Sequence, residues 1–154
     1  MSLGFGRKLR PPRSRLRGAG CSGFGKVPAM VRIIPDSDAA LALFAGLARE
    51  TVEVAAFAYL DADRRLLGMR HMRSALRDAA DVPIRAVASD ALAFDAAAVL
   101  MAHNHPSGDP APTQADHEVT RRLARALEAL DVELLDHLVI AHGGMTSFRA
   151  LGLL

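Results

Sequence analysis

His103 and His105 stand two residues apart, and a carboxylate follows at Asp116 after a turn rich in proline and glycine. Two neutral imidazole nitrogens and one carboxylate oxygen form the three-ligand set of a catalytic zinc, with the fourth position left to water. Thr113 adds a hydroxyl three residues before the acid. The chain has a single cysteine, Cys21. That excludes a disulfide framework and any zinc site built on several thiolates, so a metal here must be held by histidine and carboxylate.

Positioning these groups needs a strand and a helix. Ala96 to Ala102 is a continuous apolar run of strand length that delivers His103 at its end. On a strand, period two places His103 and His105 on one face and turns Asn104 the other way. The turn Pro106-Ser107-Gly108-Asp109-Pro110 reverses the chain, with Ser107 and Asp109 able to tie it through side-chain-to-backbone bonds. Thr113 to Leu130 then reads as a helix with Val119, Leu123, Ala126, Leu127 and Leu130 in its apolar stripe. Asp116 extends that stripe into the first turn, and a carboxylate on the buried side of a helix calls for a cation. A second account needs no metal: Thr113 and Asp116 also fit a capping box. An H-x-H pair alone is a weak signal; joined to a hydroxyl and an acid at these spacings it is far more specific.

The remaining elements supply the scaffold. Asp36 to Glu50 reads as a helix capped by Asp36 or Ser37, with Leu41, Phe44, Ala45 and Ala48 on one face. Val54 to Leu60 is a short buried strand, and Arg65 to His71 its hairpin partner after Asp61-Ala62-Asp63. Ser74 to Asp81 carries no pattern. Pro83 to Phe94 reads as a helix with proline in its first turn. Val132 to Ala141 is a further strand, and Met145 to Phe148 returns as a hairpin after Gly143-Gly144. Strands alternating with helices predict an α/β fold, one sheet covered by helices.

Composition sets the outer limits. A chain of 154 residues has one domain as its prior. No apolar run is long enough to span a bilayer. Residues 1–30 hold seven basic side chains and no acid, whereas the rest carries a net charge of −5. Residues 1–29 are therefore expected to be a disordered basic tail before a domain at 30–154. Three readings of the tail stand: an organelle transit peptide, a basic arm touching nucleic acid, or a dispensable extension before Met30. The tail lacks the apolar core of a secretory signal, and a cytoplasmic location is expected. An acidic domain is a poor nucleic-acid binder by itself, so any such contact must come through the tail.

The pattern H-x-H, seven residues, Ser/Thr, two residues, Asp resembles the JAMM signature of JAB/MPN metalloproteases. The longer string His103-Asn104-His105-Pro106-Ser107-Gly108-Asp109-Pro110, with Asp116, Val119-Thr120-Arg121-Arg122-Leu123 and Leu135-Asp136-His137, is similar to the bacterial RadC branch. The resemblance spans about residues 47–154. It implies a mixed sheet flanked by helices with a cytidine-deaminase-like layering, one zinc ion (Zn2+), and hydrolysis of a peptide or isopeptide bond in a protein substrate. It also carries an old label of DNA repair. The family pattern adds a glutamate before the first core strand as general base; Glu53 takes that place, with Glu50 as fallback.

Under this resemblance His103, His105 and Asp116 hold the ion, Glu53 moves the proton, and Thr113 donates to the developing oxyanion. His117, His137 and His142 read as surface or supporting groups, and His137 beside Asp136 can orient a neighbour. Three departures stand out. Threonine replaces the usual serine at 113. The helical N-terminal domain common in full-length RadC proteins has no counterpart in this sequence. Gly68 to Val82, which should border the substrate groove, is rich in arginine and lacks the expected Gly-containing strand. Two other functional classes are weighed. A non-catalytic accessory module for DNA transactions or protein interaction would not need His103, His105, Asp116 and Glu53 together. A zinc deaminase needs H-x-E and P-C-x-x-C, and neither occurs.

Overall fold

The computed structural model describes residues 32–73 and 82–154. The expected tail at 1–29 and the patternless stretch at 74–81 lie outside the described residues. In chain order the elements are α1 (Ser37–Phe44), a 3-10 turn (Ala45–Arg49), β1 (Val54–Leu60), β2 (Leu66–Arg73), α2 (Ile84–Phe94), β3 (Ala98–His105), α3 (Gln114–Glu128), β4 (Glu133–Ala141) and β5 (Gly144–Ser147). The sheet order is β2-β1-β3-β4-β5. The β3–β4 pair is parallel and the other three pairs are antiparallel. Parallel neighbours need a crossover, and α3 provides it. The result is one α/β domain with a mixed sheet flanked by helices.

Each face of the sheet has its own core, set by strand alternation. Ala56, Ala58 and Leu60 of β1 with Ala98, Leu100 and Ala102 of β3 pack against Ala40, Phe44 and Leu47. Phe57, Tyr59, Val99 and Met101 face the other way and meet Val87 and Ala91 of α2 and Val119, Leu123 and Leu127 of α3. Odd-numbered residues of β3 thus look towards α3, so His103 and His105 belong to that side.

The first helix departs from its expected form. Asp36 caps it by accepting from Ala39 N at 2.9 Å. Past Phe44 the chain tightens into a 3-10 turn. Three residues per turn bring Leu47, and not Ala45 or Ala48, beneath Phe44. The second strand runs further than expected. It continues to Arg73, and Gly68 lies within it. A Cβ at Gly68 would run into the Phe94 ring at the end of α2, so the glycine gives that ring its place against β2. Among the described residues no helix is long and apolar enough to cross a membrane.

Candidate metal centre

β3 extends to His105, so both imidazoles leave from a regular strand rather than from the loop after it. Thr113 caps α3, and Asp116 is fully buried in its first turn. The capping box is complete. Thr113 N and Thr113 Oγ1 both donate to Asp116 Oδ2 at 2.7 Å, and Asp116 N donates to Thr113 Oγ1 at 3.2 Å. These bonds use one carboxylate oxygen only. The other, Asp116 Oδ1, is buried with no hydrogen-bond partner.

That oxygen faces the His103 ring, and the carboxylate as a whole faces both rings. His103 Nε2 lies 3.1 Å from Asp116 Oδ1, and His105 Nε2 lies 3.4 Å from Asp116 Oδ2. The two Nε2 atoms are 2.9 Å apart. His103, His105 and Asp116 form a group whose ligand atoms all lie within 4.8 Å of one another. Ligands about 2.0–2.2 Å from one tetrahedral ion sit roughly 3.3–3.6 Å from each other.

Proton positions sharpen the picture. His105 Nδ1 is 2.9 Å from Asp109 O, and a carbonyl can only accept, so this ring carries its proton on Nδ1. In the neutral ring Nε2 is then a bare lone pair. His103 Nδ1 is occupied by His137 Nε2 at 2.8 Å, on the side away from Asp116. Hydrogen bonding to Asp116 raises the His105 pKa and outweighs the lowering by burial; the nearby charge of Glu53 raises it further. Burial pushes the Asp116 carboxyl up, but its contacts with His103, His105 and Thr113 hold it well below the usual carboxylate range. Both shifts express one demand: the pocket between the three side chains attracts positive charge. The donor set, the spacing and the orphaned oxygen fit a divalent cation.

The turn that separates the ligands is anchored from β4 and β5. Gly143 N donates to Gly108 O at 3.2 Å. A Cβ at Gly143 would come within 2.7 Å of that oxygen, so only glycine permits the approach. Gly108 itself has φ +87, the left-handed region that glycine tolerates. Asp109 Oδ1 accepts from Ala111 N at 2.9 Å, and Ser107 Oγ accepts more weakly from Asp109 N at 3.4 Å.

Glu53 reaches the site through sheet register. Ala55 pairs with His103 across the antiparallel β1–β3 ladder. Extending that register by one residue pair beyond Val54 sets Glu53 opposite His105. Odd positions of β1 face α3, the side of both histidines. Glu50 is turned elsewhere: its carboxylate pairs with Arg73 at 3.3 Å. Asn104, on the opposite face of β3, holds the loop that carries Glu53. Its Oδ1 accepts from Val54 N at 2.7 Å, and its Nδ2 donates to Glu50 O at 3.1 Å and Val52 O at 3.0 Å. Strand alternation gives only that Asn104 turns away from the two histidines, and this link is not legible in it. The only available hint was an amide, rather than an apolar residue, at a position whose alternation points into the core.

His137 is a supporting group, one of the two readings the sequence left open: its Nε2 lies 2.8 Å from His103 Nδ1. It is fully buried and stacks on Phe148 with ring centroids 4.6 Å apart. Asp136 does not orient the His137 ring. Its carboxylate accepts from the backbone N of His137 and of Arg149 and from Ser147 Oγ. His117 stands outside the ligand group and packs on the Phe148 ring at 5.1 Å.

Comparison with known proteins gives the family. Residues 34–153 match the family model described as RadC-like JAB domain. The chain belongs to that family. A UPF0758 protein of Alcanivorax borkumensis is 46% identical over 100 residues, covering 65% of this chain and 45% of the relative. UPF0758 proteins of Cellvibrio japonicus (44% over 110 residues; 71% and 49% covered) and Vibrio cholerae (44% over 94 residues; 61% and 60% covered) are similar. The matched part of these curated relatives is about half their length. The fold is that of a RadC-like JAB domain. The wider JAB domain family includes metalloproteases, and the His103, His105 and Asp116 cluster could hold a metal ion.

Proposed function

We propose that this RadC-like domain is a zinc-dependent hydrolase that cleaves a peptide or isopeptide bond in a protein or peptide substrate. One observation carries the reading: the ring nitrogens of buried His103 and part-buried His105 converge on the buried Asp116 carboxylate, whose Oδ1 has no hydrogen-bond partner. His103, His105 and Asp116 would hold the zinc, which would supply a water of pKa about 7 and a Lewis acid for a carbonyl oxygen. Glu53 accepts the proton of the attacking water at its carboxylate and passes it to the departing amine. Asn104 helps to place Glu53 by fixing the backbone on either side of it, at Val52 O and Val54 N. Thr113 can donate to an oxyanion only by turning its proton away from Asp116 Oδ2, which then keeps the bond from Thr113 N. A basic tail at 1–29 is the one segment suited to nucleic acid, and such binding would weaken steeply with salt.

The test measures zinc per chain by atomic emission in the wild type and in His103→Ala and His105→Ala. About one zinc in the wild type and loss in both variants supports the reading. A folded wild type that takes up no zinc defeats it. Glu53→Gln should keep the zinc and lose turnover in a peptide and isopeptide screen.

A further inference from the structure

We propose that His137 and Thr120 fix the tautomer of His103 and so aim its Nε2 lone pair into the metal centre. The metal part of this inference rests on the function proposed above; the tautomer part does not. The argument is a count of protons along one buried chain of contacts. Thr120 Oγ1 lies 2.5 Å from Asp116 O and 2.6 Å from His137 Nδ1. A carbonyl oxygen can only accept, so the hydroxyl proton lies on the Asp116 side. Thr120 Oγ1 must then accept from His137, which puts the His137 proton on Nδ1. His137 Nε2 is left as an acceptor. It sits 2.8 Å from His103 Nδ1, which therefore donates. His103 Nε2 is bare as a result.

The chain of contacts closes on itself. It starts at the backbone carbonyl of one candidate ligand, Asp116, and ends on the ring of another, His103. Helix α3 and strand β3 are thus tied by Thr120 and His137 behind the three ligand atoms. Thr120, His137 and His103 are all buried to within 2% exposure, so no solvent competes for these bonds. The sheet supplies the register. Val99 pairs with Leu134 but Leu100 pairs with Asp136, so Leu135 is an extra residue in β4. Leu134 packs in the core on the α3 side, whereas Leu138 and Ile140 pack in the opposite core. This bulge reverses the facing of β4 and turns His137 towards His103. Asp136 holds the backbone there through His137 N at 2.7 Å and Arg149 N at 3.0 Å. His137 and Thr120 are positioning residues, since neither is in the ligand group.

Two measurements decide it. In the metal-free protein at about pH 8, long-range 1H–15N correlation spectra should show His103 and His137 both protonated on Nδ1. A proton on Nε2 of His103 would overturn the inference, whatever the metal result. Zinc affinity is then measured by competition with a chelator of known strength. Thr120→Val, which keeps the shape and removes the acceptor, should weaken zinc binding about 10–100-fold, and Thr120→Ser should restore it to within a few-fold of wild type. Unchanged affinity in Thr120→Val, with a native circular dichroism spectrum, overturns the inference while leaving the zinc site standing. A wild type that binds no zinc defeats the proposed function instead, and the spectra still decide the tautomer.

Discussion

Replacing Asp116 by asparagine should change the sign of its effect on stability when zinc is added. In the metal-free protein above the pKa of His105, Asp116 Oδ1 is a buried acceptor facing another acceptor, His103 Nε2, at 3.1 Å. An unsatisfied buried group of this kind costs about 1–3 kcal/mol. In Asp116→Asn the amide oxygen can keep the two bonds from Thr113, and its NH2 then falls where Oδ1 was, donating to the bare His103 Nε2. Against that gain, the bonds from Thr113 lose their charge assistance and the helix end loses its favourable anion, about 1–2 kcal/mol together. The balance favours asparagine by about 0.5 kcal/mol, or a rise of about 2 °C in Tm for a domain of this size. Zinc reverses the order. At free zinc one hundred times Kd the wild type gains about 2.7 kcal/mol, roughly 10 °C, and the variant gains little. The assay is thermal melting at about pH 8.5, with chelator and with buffered zinc. A variant that melts several degrees below wild type in chelator would show that the carboxylate serves the helix cap alone. A variant that still gains about 10 °C with zinc would show that Asp116 is not a ligand. Either result refutes the reasoning.

Two further predictions concern groups beside the site. Asn104→Ala strips three bonds from the loop bearing Glu53, and should cost about 2–3 kcal/mol of stability by urea unfolding. Zinc content should stay near wild type while turnover falls on the order of 100-fold, as expected for a misplaced base; unchanged turnover would remove Asn104 from the positioning role. Between β2 and α2, Arg70 forms a two-pronged pair with Asp90, which also accepts from Tyr59 OH at 3.0 Å. The Arg70 guanidinium holds Asp90 below the ordinary carboxylate pKa despite some burial, and Tyr59 assists. A depressed folded-state pKa stabilises above the unfolded value of about 3.9 and loses that contribution as pH falls through the folded value. Wild type should therefore lose stability more steeply than Asp90→Asn below about pH 4 in acid melts; parallel curves would show that the pair contributes nothing.

The elements were largely legible because each rests on local periodicity. The stripe Val119, Leu123 and Leu127 announces α3, and the apolar run before His103 announces β3. Boundaries moved where end effects intervened. Ala96 and Ala97 precede β3 because Ala96 N still bonds Ala91 O of the preceding helix. The 3-10 turn after Phe44 escaped notice because its three-residue spacing, Phe44 to Leu47, also fits an α-helical stripe.

The sequence by itself determined His103, His105 and Asp116, since all three lie within one strand, turn and helix start whose spacings are local. Period two aligns the rings, and a cap three residues before the acid fixes its turn. Only the tertiary structure decided the partners drawn from far along the chain. Glu53 comes near His105 because the strand pairing that sets Ala55 against His103 leads the preceding loop there, and Asn104 holds that loop from 50 residues away. His137 faces His103 because Leu135 bulges out of β4. The run Leu134-Leu135-Asp136-His137-Leu138 has no clean alternation, so a one-residue phase change leaves no mark in it. In a strand, that single step moves every later side chain to the other face.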